Sequence, residues 1–268
     1  MTDAMGDRLK SYEAMETEAK FIPTLPIYAR IDGRGFSRFT RGMKRPYDEN
    51  MASAIVRTTS MLVEATNALI GYTQSDEISL VWMTEKPDSD IFFSGKKQKM
   101  TSVLASMATA YFTRAIIEIE APFSDYARRM PHFDCRVFQL PSQEEAANCF
   151  LWRERDATKN AITMAASHYY SHKQLQGKNG GEKQEMLFQV GINFNDYPAS
   201  FKRGTFVRRV TEERVLTDNE RNKIPEKKRP PEGQTFTRSR IAEINMPSFG
   251  KVMNRVGVIF KGQEPFCA

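Results

Sequence analysis

At 268 residues, with 40% hydrophobic and 27% charged side chains, the chain has the make-up of a folded protein in water, with enough material for one large domain or two joined ones. Its formal charge of +6 suits a polyanionic partner without requiring one. The three cysteines, Cys135, Cys149 and Cys267, form no CxxC pair, which argues against a zinc ribbon, and their odd number suits a reducing compartment. No apolar run reaches the length of a membrane span and residues 1–10 lack the apolar stretch of a signal peptide, so a cytoplasmic location without a membrane partner is expected.

Residues 7–20 are highly charged and free of Gly and Pro, and they read as a helix ended by Pro23 and Pro26. Residues 27–31 read as a strand that delivers Asp32 at its tip. A basic, glycine-containing loop follows over 33–48, with Lys44, Arg45 and Pro46. From 49 to 70, Met51, Ile55, Thr58, Leu62, Ala65 and Leu69 recur at steps of four and three, the spacing of one buried helical face. Residues 71–74 and 78–83 read as two strands of a hairpin that turns at Ser75-Asp76. Residues 87–94 form a loop, 96–119 a helix with Met100, Leu104, Met107 and Tyr111 on one side, and 135–140 a strand.

The order β-α-β-β-α-β over about 27–140 predicts an α+β fold with a ferredoxin-like sheet, in which the first and third strands are central neighbours. That topology sets the hairpin tip beside the end of strand one, so Asp32 and Asp76, far apart in sequence, are expected to meet. Beyond 141 the pattern changes. Residues 143–152 and 156–172 read as helices, 175–183 as a loop, and 186–194 as helix or strand. Residues 205–215 and 238–246 read as strands joined by a polar, proline-bearing segment, 219–234, that is expected to be mobile.

Two carboxylates at one end of a sheet suit two-metal phosphoryl transfer, because Mg²⁺ takes most of its ligands from water and phosphate oxygens. Asp32 and Asp76 with the Gly33 carbonyl would suffice as protein ligands. The turn over 33–39 would lay successive amides against a triphosphate, with the Ser37 hydroxyl as a further donor. Lys44, Arg45, Lys96, Lys97 and Lys99 flank the site in sequence and can neutralise phosphate. Lysines at a helix start oppose its dipole unless an anion lies near, which singles out Lys96 and Lys97. Each of these residues also has a plain reading, as a turn former or a solvated surface charge. Arg153, Arg155, Lys159, Lys202, Arg203, Arg208 and Arg209 add positive charge in the second half, and none is diagnostic alone. His168 and His172 have i, i+4 spacing but no third, acidic ligand nearby. Serine-hydrolase, Walker A and zincin motifs are absent.

Arg30-Ile31-Asp32-Gly33-Arg34-Gly35-Phe36-Ser37-Arg38-Phe39, Gln74-Ser75-Asp76-Glu77, Phe133-Asp134-Cys135-Arg136, Asn193-Phe194-Asn195 and Lys202-Arg203-Gly204-Thr205 together resemble the tRNA(His) guanylyltransferase family and its guanylyltransferase-like relatives, over roughly residues 6–210. The resemblance implies the palm of polymerases and nucleotide cyclases. It implies a palm-like catalytic domain over 1–140 with a helical and β extension, 141–268, packed on it. It also implies nucleotide addition to RNA 5′ ends in the 3′-to-5′ direction. Asp32, Gly33 and Asp76 would hold two Mg²⁺ ions; Asp32 to Ser37, including Arg34, Gly35 and Phe36, with Ser75 and Asp76, would bind ATP or GTP; and Glu77 would be a nearby acidic assistant. tRNA would be the partner and a homotetramer the assembly. One departure stands out. Where guanylyltransferases acting on tRNA(His) carry His-Ile-Asn-Asn after a Trp-Arg segment, this chain has Trp152-Arg153 and then Thr158-Lys159-Asn160-Ala161. The departure points to the branch that resembles template-dependent repair polymerases for 5′-truncated tRNA. The alternatives are tRNA(His) guanylylation itself, a nucleotide cyclase on the same palm, and a non-catalytic RNA-binding module. A diguanylate cyclase would carry Gly-Gly-Asp/Glu-Glu-Phe at the hairpin, and a binding module would expose aromatics on its central strands.

Overall fold

The computed structural model describes residues 3–87, 89–231 and 233–267; Asp88 in the expected 87–94 loop and Glu232 in the expected mobile segment lie outside them. In chain order the elements are α1 (Ala4–Thr17), β1 (Ile27–Gly33), α2 (Phe36–Phe39), α3 (Glu49–Thr66), β2 (Ile70–Gln74), β3 (Glu77–Trp82), α4 (Lys97–Ile117), β4 (Phe133–Gln139), α5 (Gln143–Tyr169), α6 (His172–Leu175), α7 (Gly180–Gln189), α8 (Ala199–Arg203), β5 (Thr205–Val215), α9 (Asp218–Asn222), β6 (Thr235–Ile244) and α10 (Arg255–Lys261). Among the described residues no helix is long and apolar enough to cross a membrane.

The six strands form one sheet in the order β4-β1-β3-β2-β5-β6. Its first four strands have the ferredoxin-like order, with β1 between β4 and β3 and antiparallel to both. Alternation along each strand decides which helix it meets. Ile27, Ala29 and Ile31 of β1, with Ile78, Leu80 and Trp82 of β3, face α3 and α4 and pack on Ile55, Leu62, Leu104 and Phe112. Tyr28 and Val81, with Ile70 and Tyr72, face the other way and pack on Phe150 of α5 and on Phe206, Phe249 and Val258. The result is three layers, with α3 and α4 on one face of the sheet and α5 and α10 on the other.

Local chemistry sets the ends of the helices that matter for the site. The Asp48 carboxylate caps α3, accepting from the N–H groups of Asn50 and Met51 at 2.9 and 3.1 Å. Asn67 ends that helix in the left-handed conformation, so it stops short of the expected position 70 and Ile70 begins β2. Ser142 caps α5. The expected break at 153–155 does not occur: α5 runs unbroken, because Arg153 and Glu154 both find partners within the fold. Residues 186–189 end a helix rather than a strand, α7, whose start is boxed by Asn179 and Glu182. The 219–234 segment carries a helical turn, α9, and Glu220 pairs with Arg214 and Arg238 across it.

Candidate active site

The end of β1 carries a row of acids. Asp32 lies opposite Glu77 of β3 and opposite Asp134 of β4, so the three share one face of the sheet. Two positions back, Arg30 faces Arg136 and Ser79. Asp76 sits in the β2–β3 turn, and its carbonyl accepts from the Gly33 N–H at 3.1 Å. Four acids crowded together repel one another, and the arginines answer only half of them. Glu77 accepts from Arg153 Nε at 2.5 Å and lies 3.9 Å from Arg30. Asp134 pairs with Arg136 at 3.5 Å. Among the described residues, Asp32 and Asp76 have no lysine or arginine within ion-pair range.

The electrostatics reflect this. Burial, and then the charge of Asp32, push the Asp76 carboxyl up to about 6, against a lowering hydrogen bond from Ser75. Burial also raises Glu77, although its bond to Arg153 works the other way. Among the described residues no three His, Cys, Asp or Glu side chains gather into a metal cluster. The donor set is therefore two hard, unneutralised carboxylates, which fits Mg²⁺ better than Zn²⁺, since water and phosphate can supply the remaining oxygens.

Beyond Asp32 the chain turns into α2. Gly35 caps it at φ +68°, a left-handed conformation suited to glycine. The Arg34 N–H is taken by the His132 carbonyl at 3.0 Å. The N–H groups of Gly35, Phe36 and Ser37 have no acceptor among the described residues, as the first amides of a helix do not. Phe36 does not face a ligand with its side chain. Its ring is buried against Phe39, Phe112 and Phe133, and it anchors the turn from below. That ring is also why position 33 is glycine, since a Cβ there would run into it.

A cleft opens beside the β2–β3 turn. Its walls are the 43–48 loop, Met51 and Ile55 of α3, Thr73 to Ser75 of the hairpin, Met164 of α5 and Phe201 of α8. Ser75, at φ +55°, and Lys44 both line it. The structure thus brings Asp32, Gly33, Asp76 and Glu77 together at one end of the sheet, with Gly35 and Ser37 in the turn that follows Asp32, and sets Ser75 and Lys44 in the wall of the cleft.

Lys96 and Lys97 are not part of it. The Lys96 ammonium bonds Glu18 at 2.7 Å, the Lys97 N–H bonds the Ala19 carbonyl, and the Lys97 ammonium sits 5.0 Å over the Phe21 ring. Both lysines are stitched to the segment that leads into β1, at the opposite end of the strand from Asp32. Helix α4 must start there because β3, antiparallel to β1, ends there. The i, i+4 histidines are separated as well: α5 ends at Tyr169 and His172 starts α6, so they share no helical face.

Sequence reasoning left Arg153 among undifferentiated basic residues. Its pairing with Glu77 and its place 4.5 Å over the Trp152 ring, which also lies 5.7 Å from Arg30, become visible only when α5 packs on the sheet. The strand aromatics are buried: Tyr28 packs on Phe150 and Phe138, and Trp82 stacks on Phe92. This leaves the central strands without the exposed base-stacking platform of a simple RNA-binding module.

Both the sequence and the fold resemble those of known proteins. A family profile described as tRNAHis guanylyltransferase matches residues 6–141, and one described as Thg1 C terminal domain matches residues 148–246. The chain is 28% identical over 214 residues to the tRNA(His) guanylyltransferase of Saccharomyces cerevisiae, covering 74% of this chain and 88% of that one. It superposes with a TM-score of 0.74 on a bacterial tRNA(His) guanylyltransferase (Thg1)-like protein in complex with ATP, at 32% identity over 92% of this chain and 95% of that one. A bacterial Thg1-like protein in complex with GTP gives a TM-score of 0.70 at the same identity, over 93% and 95% of the two chains.

Proposed function

Since this chain belongs to the tRNA(His) guanylyltransferase family, whose enzymes are nucleotidyltransferases, we propose that it extends the 5′ end of tRNA in the 3′-to-5′ direction, copying a template, as a repair polymerase. The observation that carries the reading is that Asp32 and Asp76 stand together at the end of β1, the two acids of the group without a cationic partner among the described residues.

Asp32, Asp76 and the Gly33 carbonyl are the residues that would hold Mg²⁺. When bound, the ions would offset charge on the phosphates and lower the pKa of the attacking hydroxyl. The free amides of Gly35, Phe36 and Ser37 would receive triphosphate oxygens. Lys44 would add a positive charge at the cleft, and the cleft's apolar walls would take the base. Glu77, held by Arg153 and Arg30, keeps the Asp76 turn in place. In the first step the RNA 5′-phosphate attacks the α-phosphorus of ATP or GTP and pyrophosphate leaves. In the second, the 3′-hydroxyl of an incoming NTP attacks the activated 5′-phosphate, and AMP or GMP leaves as the new phosphodiester forms. The same reading carries a cytoplasmic homotetramer, which sedimentation and localisation would test.

The departure at Thr158-Lys159-Asn160-Ala161 supports repair over guanylylation. Thr158 hydrogen-bonds the Glu154 and Lys202 carbonyls, so its hydroxyl is committed to the fold. The second reading, addition of one extra 5′ G to tRNA(His), is favoured by the family match itself. Offering a tRNA that lacks its first 5′ nucleotide beside full-length tRNA(His) decides between them. Preferred extension of the truncated tRNA supports repair, and preferred addition to full-length tRNA(His) overturns it.

A further inference from the structure

A second groove lies behind the first. It is bounded by Lys44 to Tyr47, by His168 and Tyr169 at the end of α5, and by Gly191 to Asn193 with Asp196 and Tyr197. The two cavities share the 44–47 wall, so a ligand chain leaving the nucleotide cleft meets this groove next.

Three tyrosines from three elements line it. Tyr47 is stacked on Phe201 at 4.9 Å and meets Tyr197 edge-on at 6.1 Å, so its ring is held from behind. Tyr169, 43% exposed at the helix end, meets the His168 ring edge-on at 4.8 Å and reaches Tyr197 through its hydroxyl, so its ring is held at the groove. On the shared wall Lys44 and Arg45 are exposed, with no carboxylate in ion-pair range among the described residues. Across from them, the Asn193 side-chain Oδ1 accepts from the Asn195 N–H at 3.0 Å, which leaves the Asn193 side-chain NH₂ as a donor, with the Asp196 carboxylate also lining the groove as an acceptor.

Rings for stacking, cations at one rim and a donor–acceptor pair at the other match one nucleotide unit of a single strand. A second triphosphate fits less well. It would arrive with its own metal ion, and among the described residues Asp196 is the one carboxylate lining the groove. Resting on the reading of the protein as an RNA 5′-end enzyme, we infer that this groove holds the unpaired template nucleotide of the RNA, its base against Tyr169 and Tyr47 and its phosphate at Lys44 and Arg45.

The test uses the full chain and a tRNA lacking its first 5′ nucleotide, with 2-aminopurine at the template position left unpaired. The variants are Tyr169→Ala and Arg45→Ala, both surface truncations, with thermal melting as the folding control. Wild-type protein is expected to quench the probe, Tyr169→Ala to lose the quench, and both variants to bind the RNA about tenfold more weakly. Affinity of Tyr169→Ala for GTP without RNA, by calorimetry, is expected to stay unchanged. Unchanged RNA affinity and quench in both variants would overturn the inference, as would a loss of GTP affinity in place of RNA affinity in Tyr169→Ala. Because these readouts need no turnover, RNA that binds through the groove yet is never extended would sink the repair reading and leave this one standing.

Discussion

The Gly33 amide and the Asp76 carbonyl are joined by a 3.1 Å hydrogen bond across the end of the sheet. This bond locks the residue after Asp32 to the residue that carries the second carboxylate. The placement of the two acids along the backbone is therefore a property of sheet register.

Replacing either acid by its amide should separate chemistry from folding. Asp32→Asn and Asp76→Asn are each expected to lower the rate of nucleotide addition by at least about a hundredfold, an effect of several kcal/mol. Thermal melting in EDTA should be unchanged or slightly raised, because each change removes a like-charge repulsion. Near-normal turnover would count against the metal assignment.

The raised Asp76 carboxyl gives a pH signature. Its folded value, about 6, lies above the ordinary 3.8, so the folded state binds this proton more tightly than the unfolded chain does. Its contribution, about 3 kcal/mol, is present below about pH 4 and is lost as the pH rises through 6 in metal-free protein. Urea denaturation in EDTA at stepped pH should show this slope in wild type and lose it in Asp76→Asn. Magnesium binding, measured directly, should weaken below about pH 6, where Asp76 gains its proton.

Arg153→Met should destabilise the fold by about 3 kcal/mol, because it leaves Glu77, 13% exposed, without its closest cation. Adding Glu77→Gln should return much of that loss. A double-mutant cycle in urea measures the coupling, and additive losses would show that the pair does not act as a unit.

The two glycines of the turn should respond differently. Gly33→Ala drives a methyl into the Phe36 ring, and a loss of about 1–3 kcal/mol is expected together with loss of activity. Gly35→Ala meets no atom within 4 Å and bears only the strain of φ +68°, about 1 kcal/mol. Melting temperatures of the two variants rank the effects.

The lysines separate by position. Lys44→Ala should raise KM for the NTP several-fold, whereas Lys96→Ala and Lys97→Ala should leave it within about twofold. Steady-state kinetics on a truncated tRNA would check this. A large KM effect at Lys97 would mean that the far end of the sheet also touches substrate.

Much of this was readable in one dimension. Strand alternation and the four-and-three helical steps depend on local geometry, so the β-α-β-β-α-β order followed from apolar spacing, and with it the meeting of Asp32 and Asp76. Two of the family motifs, Arg30 to Phe39 and Gln74 to Glu77, span the same strand end and hairpin turn. Local patterns did not reveal which charges are neutralised, since pairing depends on what packs across a sheet face. Arg153 reaches Glu77 from another layer, 76 positions away. Lys96 and Lys97 sit near the site in sequence but a strand's length from it in space, because antiparallel pairing returned the chain to the start of β1. Phe36 fell within a binding motif, yet its ring belongs to the core. The sequence by itself determined the elements and the two acids. The tertiary structure alone decided which acids remain uncompensated, and so where a cation is wanted, because electrostatic balance is a sum over neighbours in space.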